Sequence, residues 1–88
     1  MSRKYVYHSD PGHGWLQVPV ADVIESGIEV SKYSYQQGDT AYLEEDSDAR
    51  KFLNWCEFHG DFNLIVVDQY HDGDRCFIRE LEVYNGTN

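Results

Sequence analysis

The chain repeats itself, and the repeat restricts it to a short list of folds. Tyr35-Gln36-Gln37-Gly38-Asp39-Thr40-Ala41-Tyr42-Leu43-Glu44-Glu45 aligns without gaps on Tyr70-His71-Asp72-Gly73-Asp74-Arg75-Cys76-Phe77-Ile78-Arg79-Glu80. Tyr, Gly, Asp and the final Glu are identical, and Ala41/Cys76, Tyr42/Phe77 and Leu43/Ile78 are similar. With one extra residue, Tyr7 to Leu16 follows the same plan. Each unit reads as a strand, a turn and a returning strand. Asp72-Gly73 is the favoured pair for a two-residue type I′ hairpin, where both central residues need positive φ. Gln37-Gly38 holds the matching place. Asp10-Pro11-Gly12 makes a longer first turn, with Pro fixing φ and Gly accepting the unusual angle.

Two helical segments lie between the hairpins. Pro19 suits a first helical position, where its missing N–H is not needed. Val20, Val23 and Ile24 share a face, and Gly27 ends the segment in a left-handed conformation. Asp46 or Ser47 can cap a second helix. Ala49, Phe52, Leu53 and Cys56 follow at helical spacing as its buried stripe, and it ends near His59-Gly60. The expected fold is therefore α+β in a single domain, residues 1–88. Its order is ββα-ββα-ββ: an antiparallel sheet of about six strands with two helices on one face.

Strand alternation then sorts the side chains. The predicted turns make residue 70 face 75, 68 face 77, 35 face 40 and 33 face 42. One face collects Val6, Leu16, Val18, Ala41, Leu43, Ile65, Val67, Cys76 and Ile78, suited to packing under helices. The other collects Tyr5, Tyr7, Trp15, Tyr33, Tyr35, Tyr42, Tyr70 and Phe77, with Val66 among them and Gln17, Glu44, Asp68, Arg75 and Arg79 at the rim. Eight rings amount to roughly 1,000 Å² of surface, about half of it after mutual shielding. That is the upper range of apolar patch on a soluble monomer, so a partner, a second copy or the tail around Leu81 to Tyr84 is expected to cover it. The plainer account is that tyrosines have high strand propensity and suit an exposed sheet.

Charge sets the class of partner. Sixteen Asp and Glu against seven Lys and Arg give a net charge of −9. Nucleic-acid backbones and anionic membranes would be repelled, and a basic protein would be attracted. The densest acidic run is Glu44-Glu45-Asp46-Ser47-Asp48. It reads as a helix N-terminus, where carboxylates meet the positive end of the dipole, and also as a docking patch for Lys or Arg. A calcium loop does not fit, because Arg50 stands where a ligand belongs.

His8, Asp10, His13 and His71 form the candidate metal set, since imidazole and carboxylate suit zinc or iron. Their spacing matches no standard ligand motif, and His8 and His71 also read as polar strand-end residues at equivalent repeat positions. Cys56 and Cys76 fall on buried faces and read as reduced thiols in a cytosolic protein. No phosphate loop or nucleophile elbow is present, so catalysis and cofactors are not expected. Met1-Ser2-Arg3-Lys4-Tyr5 has no apolar run after it and does not read as a signal peptide. No apolar stretch reaches the ~18 residues that span a bilayer.

Several segments resemble a family of small phage and prophage proteins with no assigned activity. They are His8-Ser9-Asp10-Pro11-Gly12-His13-Gly14-Trp15-Leu16, Tyr33-Ser34-Tyr35 with Gly38-Asp39, Tyr42 through Ala49, and Asp72-Gly73-Asp74 with Ile78-Arg79. The resemblance implies an accessory protein acting in the bacterial cytoplasm, and by analogy an inhibitor of host defence, such as restriction or CRISPR systems. The expectation is thus a non-enzymatic protein-binding module. Tyr7, Trp15, Tyr33, Tyr35, Tyr42, Tyr70 and Phe77 would be its anchors, and Glu44, Glu45, Asp46 and Asp48 its steering charges. Its partner would be a basic protein or a second copy of itself. A metal-binding or metal-dependent hydrolytic protein and a purely structural homodimer are the alternatives.

Overall fold

A computed structural model describes residues 2–60, 62–72 and 77–86 of the chain. Strands β1 (Ser2–Ser9) and β2 (Gly14–Pro19) lead into helix α1 (Val20–Ser26). Strands β3 (Tyr35–Gln37) and β4 (Thr40–Glu44) lead into α2 (Asp48–His59). Strand β5 (Asn63–Tyr70), a 3-10 helix (Phe77–Glu80) and a two-residue strand β6 (Glu82–Val83) complete it. The sheet has six strands in the order β5-β1-β2-β4-β3-β6. It is mixed, which corrects the expectation of a wholly antiparallel sheet: β5 runs parallel to β1 from Ser2↔Asn63 to Ser9↔Tyr70.

The first hairpin fixes which side chains face the helices. Its loop is residues 10–13, closed by the Ser9↔Gly14 pair. Asp10 builds it: its Oδ1 accepts the N–H groups of Gly12 (2.9 Å) and His13 (3.0 Å), and its own N–H donates to His13 O (2.9 Å). The loop places Tyr7 opposite Leu16, so they share a face. The sequence reading had Val6 there, and a slip of one residue turns every side chain of a strand to the other face. Tyr5 and Tyr7 therefore pack on the helix side, and Val66, paired with Tyr5 in the ladder, turns to the same face but is exposed at the sheet edge, while Val6, Ile65 and Val67 turn to the far side.

The second hairpin also differs from expectation, but harmlessly. Gln37↔Thr40 closes it, so Gly38 and Asp39 are its central residues, and Tyr35 rather than Tyr33 stands opposite Tyr42. Gly38 has φ 60 and Asp39 a negative φ, which suits a II′ turn with Gly in its first central position. A shift of two residues along the ladder preserves the faces.

The third repeat unit is not a hairpin. Its strand pairs with β1, and Phe77 and Ile78, expected opposite Asp68 and Val67, sit in the 3-10 helix. Of the predicted Asp72-Gly73 turn, Gly73 lies outside the described residues, as do Asp74, Arg75 and Cys76 of the expected returning strand. Ile78 is fully buried against Trp15 and Tyr42, with Tyr35 and Leu81 alongside. The sheet face turned away from α1 and α2 is thus partly roofed, which corrects the expectation of an open aromatic surface.

Local signals elsewhere match. Gly27 takes φ 70 and its N–H reaches Ile24 O (3.1 Å), closing α1. Pro19 stands one place before the helix, as the last residue of β2. Ser47 precedes α2 at the cap position, without a side-chain capping bond. Val20 and Val23 of α1 and Ala49, Phe52 and Cys56 of α2 share one core with Leu16, Val18, Ala41 and Leu43. Tyr5 meets Phe52 edge to face at 5.3 Å and donates its hydroxyl to Asp22 (2.8 Å).

Asp48 is the polar anchor of this layer. Its carboxylate is wholly buried and accepts the Ser31 N–H, the Ser31 hydroxyl (2.7 Å) and the Ser34 hydroxyl. Ser34 Oγ in turn accepts the Glu44 N–H (2.9 Å), so one side chain ties the α1–β3 connection to both β4 and α2. Replacing Asp48 by Ala strands those donors in the interior, where an unsatisfied group costs about 1–3 kcal/mol. Urea unfolding of Asp48→Ala should show a lower midpoint with an unchanged slope.

Candidate functional site

The roof over the far sheet face is held by a buried ion pair. Arg79 donates to Asp10 through Nε (2.8 Å) and Nη2 (2.9 Å), and the Asp10 side chain has no solvent exposure. The Arg79 guanidinium lies over the Trp15 ring at 5.3 Å. Trp15 also meets Tyr35 at 6.3 Å and His13 at 6.0 Å. Its Nε1 is buried and makes no hydrogen bond.

Next to this stack opens a pocket of about 440 Å³ lined by His13, Trp15, Tyr33, Tyr35, Glu44, Asp46, Ser47 and Arg79. Besides Arg79 from the 3-10 helix, three segments supply it. The first hairpin loop brings His13 and Trp15, the approach to β3 brings Tyr33 and Tyr35, and the β4–α2 junction brings Glu44, Asp46 and Ser47. Tyr33 is 62% exposed, with Lys32 Nζ over its ring at 5.6 Å. Arg79 is already neutralised by Asp10, so Glu44 and Asp46 leave the lining with an excess of negative charge. Aromatic faces carry negative quadrupole charge as well, so rings and carboxylates favour the same kind of guest, a cation.

The acidic run does not act as one patch. Glu44 and Asp46 face the pocket. Glu45 accepts the Tyr7 hydroxyl at 2.6 Å, and burial together with that carboxylate raises the Tyr7 pKa. Asp48 is buried and is therefore no docking residue, contrary to expectation. Among the expected anchors, Trp15, Tyr33 and Tyr35 come together at the pocket. Tyr42 is 5% exposed in the roofed core, and Tyr7 packs on the helix side. Tyr70 stands exposed at the end of β5, and Phe77 packs edge to face on Tyr42 at 5.6 Å. His13, Ser47 and Arg79 were not among the expected binding residues. A signal for Arg79 did exist: it stands where its repeat counterpart has Glu44, a reversal of charge at an aligned position.

The four residues of the candidate metal set divide. His8 and His71 meet, while Asp10 holds Arg79 and His13 turns to Trp15. Among the described residues, no three His, Cys, Asp or Glu side chains converge on a metal-sized position. The histidine pair has a defined proton arrangement. Gln17 Oε1 can only accept, so His8 Nε2–H donates to it (2.7 Å) and His8 Nδ1 accepts from His71 Nε2–H (2.9 Å). Phe77 and Tyr42 pack around His8. Burial, and secondarily the charge of His71, lowers the His8 pKa, although the Gln17 bond works against it. Cys56 is buried, and its thiol pKa is pushed up to about 11, which makes it a poor nucleophile.

No protein-family model matches the chain, and no curated protein or solved structure is significantly similar to it. Among the described residues, no helix is long and apolar enough to cross a membrane.

A folded-state pKa below the ordinary value of 6.5 means that the unfolded chain binds the extra proton first. The stability contributed by neutral His8 is complete above that value and is lost as pH falls through it. Thermal melts between about pH 7.5 and 5.5 should show a falling Tm, and His8→Gln should flatten that slope.

Proposed function

We propose that this protein is a non-enzymatic binding module whose pocket beside Trp15 takes a cationic side chain, Lys or Arg, from a basic protein partner. The observation that carries the reading is the convergence of Trp15, Tyr33 and Tyr35 with Glu44 and Asp46, while the one guanidinium of the lining is neutralised by Asp10. Magnitudes limit what the pocket does alone. A cation over an exposed ring gains about 0.5–1 kcal/mol. An exposed ion pair adds about 0.2–1 kcal/mol. Arg79 already lies over Trp15 and Lys32 over Tyr33, so Tyr35 and the two carboxylates give roughly 2 kcal/mol, short of the ~4 kcal/mol that corresponds to a millimolar Kd. A single side chain is anchored weakly, and the partner's surrounding surface supplies the rest of the affinity. The net charge of −9 steers a basic partner toward the pocket and speeds encounter.

The setting we propose is inhibition of a bacterial host factor in the cytoplasm, an anti-defence role. That part rests on the sequence resemblance alone.

The pocket is tested with a Lys-rich and an Arg-rich peptide of equal length, titrated calorimetrically. Tyr33 and Asp46 are both exposed, so Tyr33→Ala and Asp46→Asn should leave the fold intact. Each should weaken binding by about two- to fivefold, and the affinity of the unaltered protein should fall as salt rises. Peptide affinity unchanged in both variants would reject the site.

A further inference from the structure

The two edges of the sheet are unlike. β6 is two residues long, whereas β5 has eight, and all eight are exposed. Its centre is apolar: Leu64 is 37% exposed, Ile65 45%, Val66 41% and Val67 40%. Natural edge strands are protected by brevity, by lysine, by proline or by a bulge. β5 has no Lys or Pro, its eight pairs with β1 run without a bulge, and its one charge is Asp68.

The backbone of this edge has a readable polarity. In a parallel ladder, successive residues address opposite neighbours. His71 N–H donates to Ser9 O at 2.7 Å, so His71 addresses β1. Alternation then turns the N–H and C=O groups of Leu64, Val66, Asp68 and Tyr70 outward. Among the described residues, no strand pairs with that side.

We propose that β5 pairs antiparallel with β5 of a second copy about a twofold axis centred on Val66, joining two sheets into one. A twofold normal to the sheet keeps each face on its own side. Val66 then meets the Val66 of the second copy as a hydrogen-bonded pair, Ile65 meets Val67, and Leu64 meets Asp68. This register places apolar side chains on apolar ones at the axis and keeps the two Asp68 carboxylates from facing each other. Each copy has one such edge, so association closes at two. A standard interface takes about 800 Å² from each partner. One strand edge offers less, so the dimer is a reversible one that forms at high micromolar concentration. This inference is independent of the cation pocket, and the two respond oppositely to salt. Each copy carries −9, and screening that repulsion strengthens the dimer.

Sedimentation of the full chain from about 10 µM to about 1 mM tests it, together with amide hydrogen exchange read by NMR. The expected result is a concentration-dependent monomer–dimer equilibrium that tightens with salt. The amides of Leu64, Val66 and Asp68 should gain protection as concentration rises, whereas those of Ile65 and Val67, which address β1, should be protected throughout. Val66→Lys should weaken the dimer at least tenfold. Should that variant misfold, the exchange pattern of the unaltered protein decides alone. A monomer at 1 mM would overturn the proposal, and so would a dimer in which the Val66 amide exchanges freely.

Discussion

The Asp10 carboxylate does two jobs that would otherwise be unconnected. It folds the first loop by accepting the Gly12 and His13 amides, and it fixes Arg79 across the sheet. The first job sets the register of β1, and with it the side of the sheet on which Tyr5 and Tyr7 are found. The second pins the 3-10 helix over Trp15, so that Ile78 reaches the core. A buried carboxylate is costly unless it is fully bonded, and Asp10 meets that condition with two amides and a bidentate guanidinium. The proposed cation site depends on the same side chain, because an Arg79 without Asp10 would add an unbalanced positive charge to the pocket lining.

Features that depend on neighbours in sequence were legible, and those that depend on distant groups were not. Gly27 closes α1 as its position implied, and Ala49, Phe52 and Cys56 form the buried stripe of α2. The Asp10 loop was misjudged by one residue because its length is set by side-chain hydrogen bonds, and composition alone does not reveal those. The third repeat unit was misjudged for a different reason. Its strand half has a parallel site waiting beside β1, and Phe77 and Ile78 gain more by covering Trp15 and Tyr42 than by closing a hairpin.

The rings and acids of the predicted site were drawn from the right pool but gathered differently. An alternating strand pattern sorts residues only if every register is right, and the error in β1 removed Tyr7. Trp15, Tyr35 and Glu44 remained together because the β2–β4 and β3–β4 ladders kept their faces, and Tyr33 and Asp46 join them from the segments flanking β3 and β4. Burial then divided this pool further. Tyr42 went to the core and Asp48 became an internal acceptor, so fewer residues than expected are left to meet a partner.

The parallel junction between the first and fifth strands also governs when the molecule can be completed. Ser2 pairs with Asn63, so β1 acquires its outer neighbour only across the long stretch of chain that holds β2, β3, β4 and both helices. Contacts closing so large a loop carry a high entropic cost and form slowly. Until then both β1 and the apolar Leu64–Val67 run are candidates for wrong pairings, and the net charge of −9 opposes the approach of one unfolded chain to another.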